Sequence, residues 1–166
     1  MLIQPIPIIL AAVVPMITGF IWYNKNVFGT TWMRESGVTE DKMKGANMPL
    51  IFGGSFILSI MLAVSMYPLT VHQMHIGSLF QGDPAASDPT SPTGMLLQQI
   101  QTATANNFRT FKHGAFHGFL SAVFIILPVL GTNALFERKS FKYLFINVGY
   151  WAVTFAIMGA IICGMK

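Results

Sequence analysis

Long apolar runs alternate along the chain with short charged stretches. The runs cover about residues 5–23, 49–71, 112–134 and 142–164, and nearly every Lys, Arg, Asp and Glu falls between them. Each run has roughly 19–23 residues, and a 20-residue helix covers about 30 Å, the thickness of the hydrocarbon core of a bilayer. Backbone groups in lipid must be bonded within their own segment, so the runs are predicted helices and not open strands. The expected fold is an all-α membrane protein, a single domain over residues 1–166, with four transmembrane helices in a compact up-down bundle.

Between the second and third runs lies a long segment, about 72–111. Its part "QGDPAASDPTSPTG" (81–94) is rich in turn formers and reads as turns or a mobile loop. Its part "MLLQQIQTATANNF" (95–108) repeats Leu96, Leu97, Ile100, Thr104 and Phe108 at helical spacing. That pattern predicts a short amphipathic helix lying on the outer leaflet or capping the bundle.

Composition supports the membrane reading. Apolar residues make up 53% of the chain and charged ones only 10%, where soluble domains carry about a quarter. The net charge of +4 does not point to nucleic acid, because the basic residues are scattered over loops. They read as topology signals instead. Lys25, Arg34, Lys42, Lys44, Arg138, Lys139 and Lys142 share one side of a four-span chain, against Arg109, Lys112 and Lys166 on the other. The first side is expected to be cytoplasmic, with both termini and the 72–111 segment outside. The first run has no basic stretch before it and no small-residue cleavage site, so it reads as a retained span. Trp22, Tyr23 and Tyr67 sit where headgroup-level aromatics are expected.

Lipid gives helices no hydrophobic reason to pair, so small residues that let backbones approach matter. Ser55, Ser59 and Ala63 form one four-residue register in the second run. Gly114, Gly118 and Ala122 form another in the third, and Ala152, Ala156, Ala160 and Gly164 a third in the fourth. Pro15 and Pro128 lie inside runs and are expected to kink them, in the service of packing. Asn133 and Asn147 flank the last turn and could hydrogen-bond each other across it. Cys163, the one cysteine, reads as a small buried residue.

Three segments stand out together: "GFIWYNKNVFGTTW" (19–32), with Gly19, Trp22, Tyr23, Phe28, Gly29 and Trp32; "ILPVLGTNALFERKS" (126–140); and "YLFINVGYWAV" (143–153). In order and spacing they resemble an uncharacterised family of small membrane proteins, domain of unknown function 1761, over most of the chain outside about 76–105. The resemblance implies a four-span bacterial inner-membrane protein. It implies no activity, and it carries over no catalytic residue.

The four histidines are the candidate chemistry. His72 and His75 follow the second run, and His113 and His117 open the third, so all four are expected near one membrane face. His113 and His117, four apart, share a helix face. Neutral imidazole is a common ligand for zinc, copper and iron, so the four could form a metal or haem site, with Asp83 or Asp88 adding an oxygen. They could also be interface residues that bond a neighbouring helix, or respond to pH. No H-E-x-x-H or Cys/His framework is present.

No Asp, Glu, Lys or Arg lies deep in a run, unlike the ion-coupled transporters and pumps. The leading reading is a non-enzymatic structural, accessory or small-molecule-handling module in the bilayer, self-associating or bound to another membrane protein. The alternatives are a metal- or haem-binding protein and an oligomeric transporter or channel.

Overall fold

The computed structural model describes residues 4–165. Among them the chain is helical, without strands. Helix α1 (Pro5–Trp22) leads through a π-helical turn, Lys25–Gly29, into the short α2 (Thr30–Ser36) and α3 (Glu40–Lys44). Helix α4 (Met48–Thr70) is followed by α5 (Gln73–Ile76), two 3-10 turns and α6 (Pro92–Thr104). Helix α7 (Phe111–Ser121) continues through a π-helical turn, Ala122–Ile126, into α8 (Leu127–Phe136), and α9 (Phe141–Gly164) comes last. Four helices are long and apolar enough to cross a membrane: α1, α4, the continuous Phe111–Phe136 and α9.

Caps and prolines set where these helices begin and bend. Asn47, Thr110 and Ser140 each accept a backbone N–H of the first turn of α4, α7 and α9, respectively. Pro128 lacks the N–H that would reach the Phe124 carbonyl, and the π-helical turn Ala122–Ile126 spans that point. Pro15 lies inside α1 without a π-helical turn beside it, and its own carbonyl accepts the Tyr150 hydroxyl at 2.8 Å.

Helix α9 is the packing centre. Phe155, Met158, Ile162 and Cys163 are buried on it, against Ala11 and Ala12 of α1 and Ala63 and Met66 of α4. Helix α7 lies in near backbone contact with α9. A Cβ added at Gly114 would stand 2.1 Å from the Gly159 carbonyl oxygen, and one at Gly118 would stand 2.0 Å from that of Phe155. The Cα of Ala156 also faces Gly118, while Ala152 and Ala160 flank this seam half-buried. On α4, Ser59 is buried and Ser55 is exposed. The outward surface is strongly apolar. Phe20 is 79%, Phe124 73% and Phe136 87% exposed, the surface that helices solvated by lipid present.

Polar ties join the helices at one end. The Trp22 indole donates to the Ile146 carbonyl at 3.0 Å, and Thr18 and Thr154 hydroxyls meet at 2.8 Å. Asn147 does not pair with Asn133. Its Oδ1 accepts the Tyr23 hydroxyl at 2.9 Å and its Nδ2 donates to the Tyr143 carbonyl at 2.7 Å. A tyrosine just past the end of α1 and a carbonyl one turn back satisfy it before the turn is crossed.

Segment 81–91 takes the form of turns, and α6 begins at Pro92 and ends at Thr104, a few residues ahead of the helix expected over 95–108. Asp83 caps the 3-10 turn Pro84–Ser87 by accepting from Ala85 N–H, and the Ser91 hydroxyl caps α6 by accepting from Gly94 N–H.

Candidate metal centre

His72 sits just past the end of α4, and His113 and His117 lie one turn apart on α7. The loop between them brings these three imidazoles together. The His72 and His113 Nε2 atoms are 2.9 Å apart. Ring centroids are 4.9 Å apart for His72 and His113, 5.0 Å for His72 and His117, and 4.4 Å for His113 and His117. One ring nitrogen from each of the three lies within 4.8 Å of the other two. His72 is exposed, and the two α7 histidines are half-buried.

His75 is not in this group. Its Nε2 lies 2.7 Å from the Pro68 carbonyl oxygen, which can only accept, so that nitrogen carries the proton. The last carbonyls of a helix have no partner within it, and His75 satisfies one of those of α4. Neither Asp83 nor Asp88 joins the group. Asp83 is engaged in its turn, and Asp88 accepts from the backbone and hydroxyl of Thr90.

Local structure fixes the three rings. Thr110 caps α7 through the backbone N–H of His113 at 3.2 Å. Gly114 and Gly118, each next to a histidine, press α7 onto α9. Gln73, beside His72, donates to the Thr104 and Asn107 carbonyls at 2.7 and 2.8 Å, tying the start of α5 to the end of α6. Phe108, at φ 60° in the left-handed region, places its ring 5.9 Å from His72 and 5.1 Å from His113.

Arg109 anchors that turn. It is only 6% exposed; its Nε donates to the Cys163 carbonyl at 2.9 Å and its Nη2 to the Met165 carbonyl at 2.7 Å. A cation at the C-terminal end of α9 meets the negative end of the helix dipole. The Cys163 thiol in turn donates to the Phe108 carbonyl at 3.4 Å. The charge pattern places Arg109 only as a topology signal, and nothing in its sequence neighbourhood points to a carbonyl more than fifty positions on. Gln73 and Phe108 likewise carry no sign of their role in sequence.

The chemistry of the cluster follows from its nitrogens. Two Nε2 atoms at hydrogen-bond distance need one donor and one acceptor, so at most one proton sits between His72 and His113. Three neutral imidazoles are a known donor set for zinc, with bonds of about 2.0–2.1 Å that space tetrahedral ligand nitrogens roughly 3.3 Å apart. The observed 2.9 Å contact and the 4.8 Å limit bracket that spacing. Such a set leaves a fourth position for water or another ligand.

Comparison with curated proteins and with solved structures returns no match. A family model does match, over residues 6–163, nearly the whole chain. The capped, glycine-seamed helices that carry the histidines lie within that span, and the chain belongs to the family described as Protein of unknown function (DUF1761).

Proposed function

We propose that this chain is a small, non-enzymatic four-span membrane module that binds one transition-metal ion through His72, His113 and His117. The observation that carries the reading is the convergence of three ring nitrogens within 4.8 Å. Three imidazoles with no thiolate or carboxylate suit zinc or copper. Bound there, the ion would acidify a coordinated water or take a further ligand at the open position. A haem held between two imidazoles needs them on opposite faces of the macrocycle, and the 2.9 Å contact between His72 and His113 leaves no room for one.

The setting of the module is an inner membrane, with its four spans in up-down order. Six of the ten Lys and Arg residues lie on the α1–α4 and α8–α9 connections, and Lys142 lies in the first turn of α9 on the same side. That imbalance supports placing those connections in the cytoplasm, and the termini and histidines on the outer side.

The test is metal analysis of protein purified in mild detergent, with Co2+ or Cu2+ substitution followed by absorption or electron paramagnetic resonance spectra. The expected result is one ion per chain with imidazole coordination, lost in H113A/H117A. A wild-type protein that takes up no ion from metal-supplemented buffer overturns the reading.

A further inference from the structure

A cavity of about 890 Å³ opens between α1, α4 and α9, around Tyr23 and Trp32. It lies with the α1–α2 turns, far along α1 and α9 from the histidines. One part of its wall is apolar and includes Phe20, Phe52, Leu58 and Leu62. Phe20, Phe52 and Leu58 are at least half exposed, so the opening faces whatever surrounds the bundle.

The other part of the wall is made of donors. The Trp32 indole N–H is buried and has no acceptor among the described residues. An orphaned buried donor is destabilising, so it marks a place where an acceptor is missing. Beside it, Asn24 uses its side-chain oxygen on the Asn26 N–H, and its Nδ2 makes no hydrogen bond among the described residues. Lys25 adds a cation at the rim, shared with Glu40. The head of any occupant must therefore offer acceptor oxygens.

We propose that this cavity is a binding site for one phospholipid of the bilayer. Its phosphate and ester oxygens accept from Trp32 and Asn24, and an acyl chain lies along Phe52, Leu58 and Leu62. Ring stacking fixes the donor wall: Trp32 meets Tyr23 edge-on with centroids 5.3 Å apart, and Tyr23 in turn meets Tyr150 at 5.2 Å. The cavity falls in the ordinary size range of small-ligand pockets, about 300–1,000 Å³. The inference rests on the reading of the four helices as membrane spans and is independent of the metal site.

The test is native mass spectrometry of the protein from mixed phosphatidylglycerol and phosphatidylcholine vesicles. Wild type is expected to retain one phospholipid at collision energies that strip the detergent. Trp32→Phe keeps the ring and removes the donor, and it is expected to weaken retention roughly tenfold, the value of one charge-assisted hydrogen bond. Ser55→Leu fills the cavity from an exposed wall position and is expected to abolish retention without touching the donors. Loss of all phospholipid from wild type at those energies overturns the proposal. So does retention that neither variant changes, or a retained mass that belongs to detergent or a free fatty acid. Failure of the protein to partition with membranes resistant to carbonate extraction would instead remove the membrane reading itself.

Discussion

The Nε2 atoms of His72 and His113 lie 2.9 Å apart although the residues are 41 positions apart in the chain. This contact closes the loop from α4 to α7, and two protonated rings cannot make it. Metal binding requires all three clustered imidazoles to be neutral, so acid competes with the ion. Affinity for Zn2+ is expected to be level near pH 8 and to fall as the pH drops below about 6.5, the ordinary imidazole range, as checked by competition with a chelating dye. The histidines also separate by role. His72→Ala should weaken binding by more than the roughly 10–100-fold typical of losing a supporting partner, whereas His75→Ala should leave the affinity unchanged. Equal losses from the two variants would contradict the three-ligand geometry.

The α7–α9 seam has no room for a methyl group. Gly114→Ala and Gly159→Ala each place a Cβ within 2.3 Å of a facing backbone oxygen, so the helices must part. Overpacking of this kind costs about 1–3 kcal/mol. Gly131→Ala is the control, because its Cβ would find only a Leu144 methyl at 3.9 Å. Thermal unfolding in detergent, followed by circular dichroism, should show a lower midpoint for the first two and none for the third.

Arg109 is expected to be irreplaceable by lysine. Hydrogen bonds leave from different nitrogens of its planar fork, to Cys163 and Met165, and a single ammonium cannot copy that geometry. Arg109→Lys should lower stability by about 1.5–3 kcal/mol, the value of hydrogen bonds to a charged group. It should also loosen the Phe108 turn over the histidines. Both effects are readable by thermal melts and by faster amide hydrogen exchange at residues 108–113.

Glu35 links α2 to the start of α9. The Ser140 hydroxyl donates to its carboxylate at 2.6 Å, and this bond, with a smaller contribution from Arg34, holds its pKa below the ordinary glutamate value. A carboxylate with a depressed folded pKa adds stability above its unfolded pKa, about 4.3, and loses it as pH falls through the lower folded value. Glu35→Gln should therefore be less stable than wild type at pH 7, and the gap should shrink below about pH 4. A gap that stays constant from pH 7 to pH 3 would show that Glu35 acts without its charge.

Much of the fold was legible because hydrophobicity is a one-dimensional signal. A helix that crosses lipid must be apolar along its whole length, so α1, α4, Phe111–Phe136 and α9 announce themselves by composition. Gly114 and Gly118 were legible as a close-approach stripe for the same reason: a four-residue repeat maps directly onto a helix face. Their partner was not. Gly159 lies outside the Ala152, Ala156, Ala160 register, and only the crossing of α7 over α9 selects it. Asn147 shows the same limit, since sequence proximity suggested Asn133 while the fold supplied Tyr23.

The sequence by itself determined four apolar helices and placed four histidines near the ends of two of them. Only the tertiary structure decided that three meet and one does not. His75 turns to a helix-end carbonyl left without a partner at Pro68, a demand that hydrogen bonding sets locally once α4 stops at Thr70. His72 reaches His113 because Gln73, Phe108 and Arg109 fold the connecting segment back against α9. Those contacts run between positions far apart in the chain, and the periodicity of a sequence records only its near neighbours.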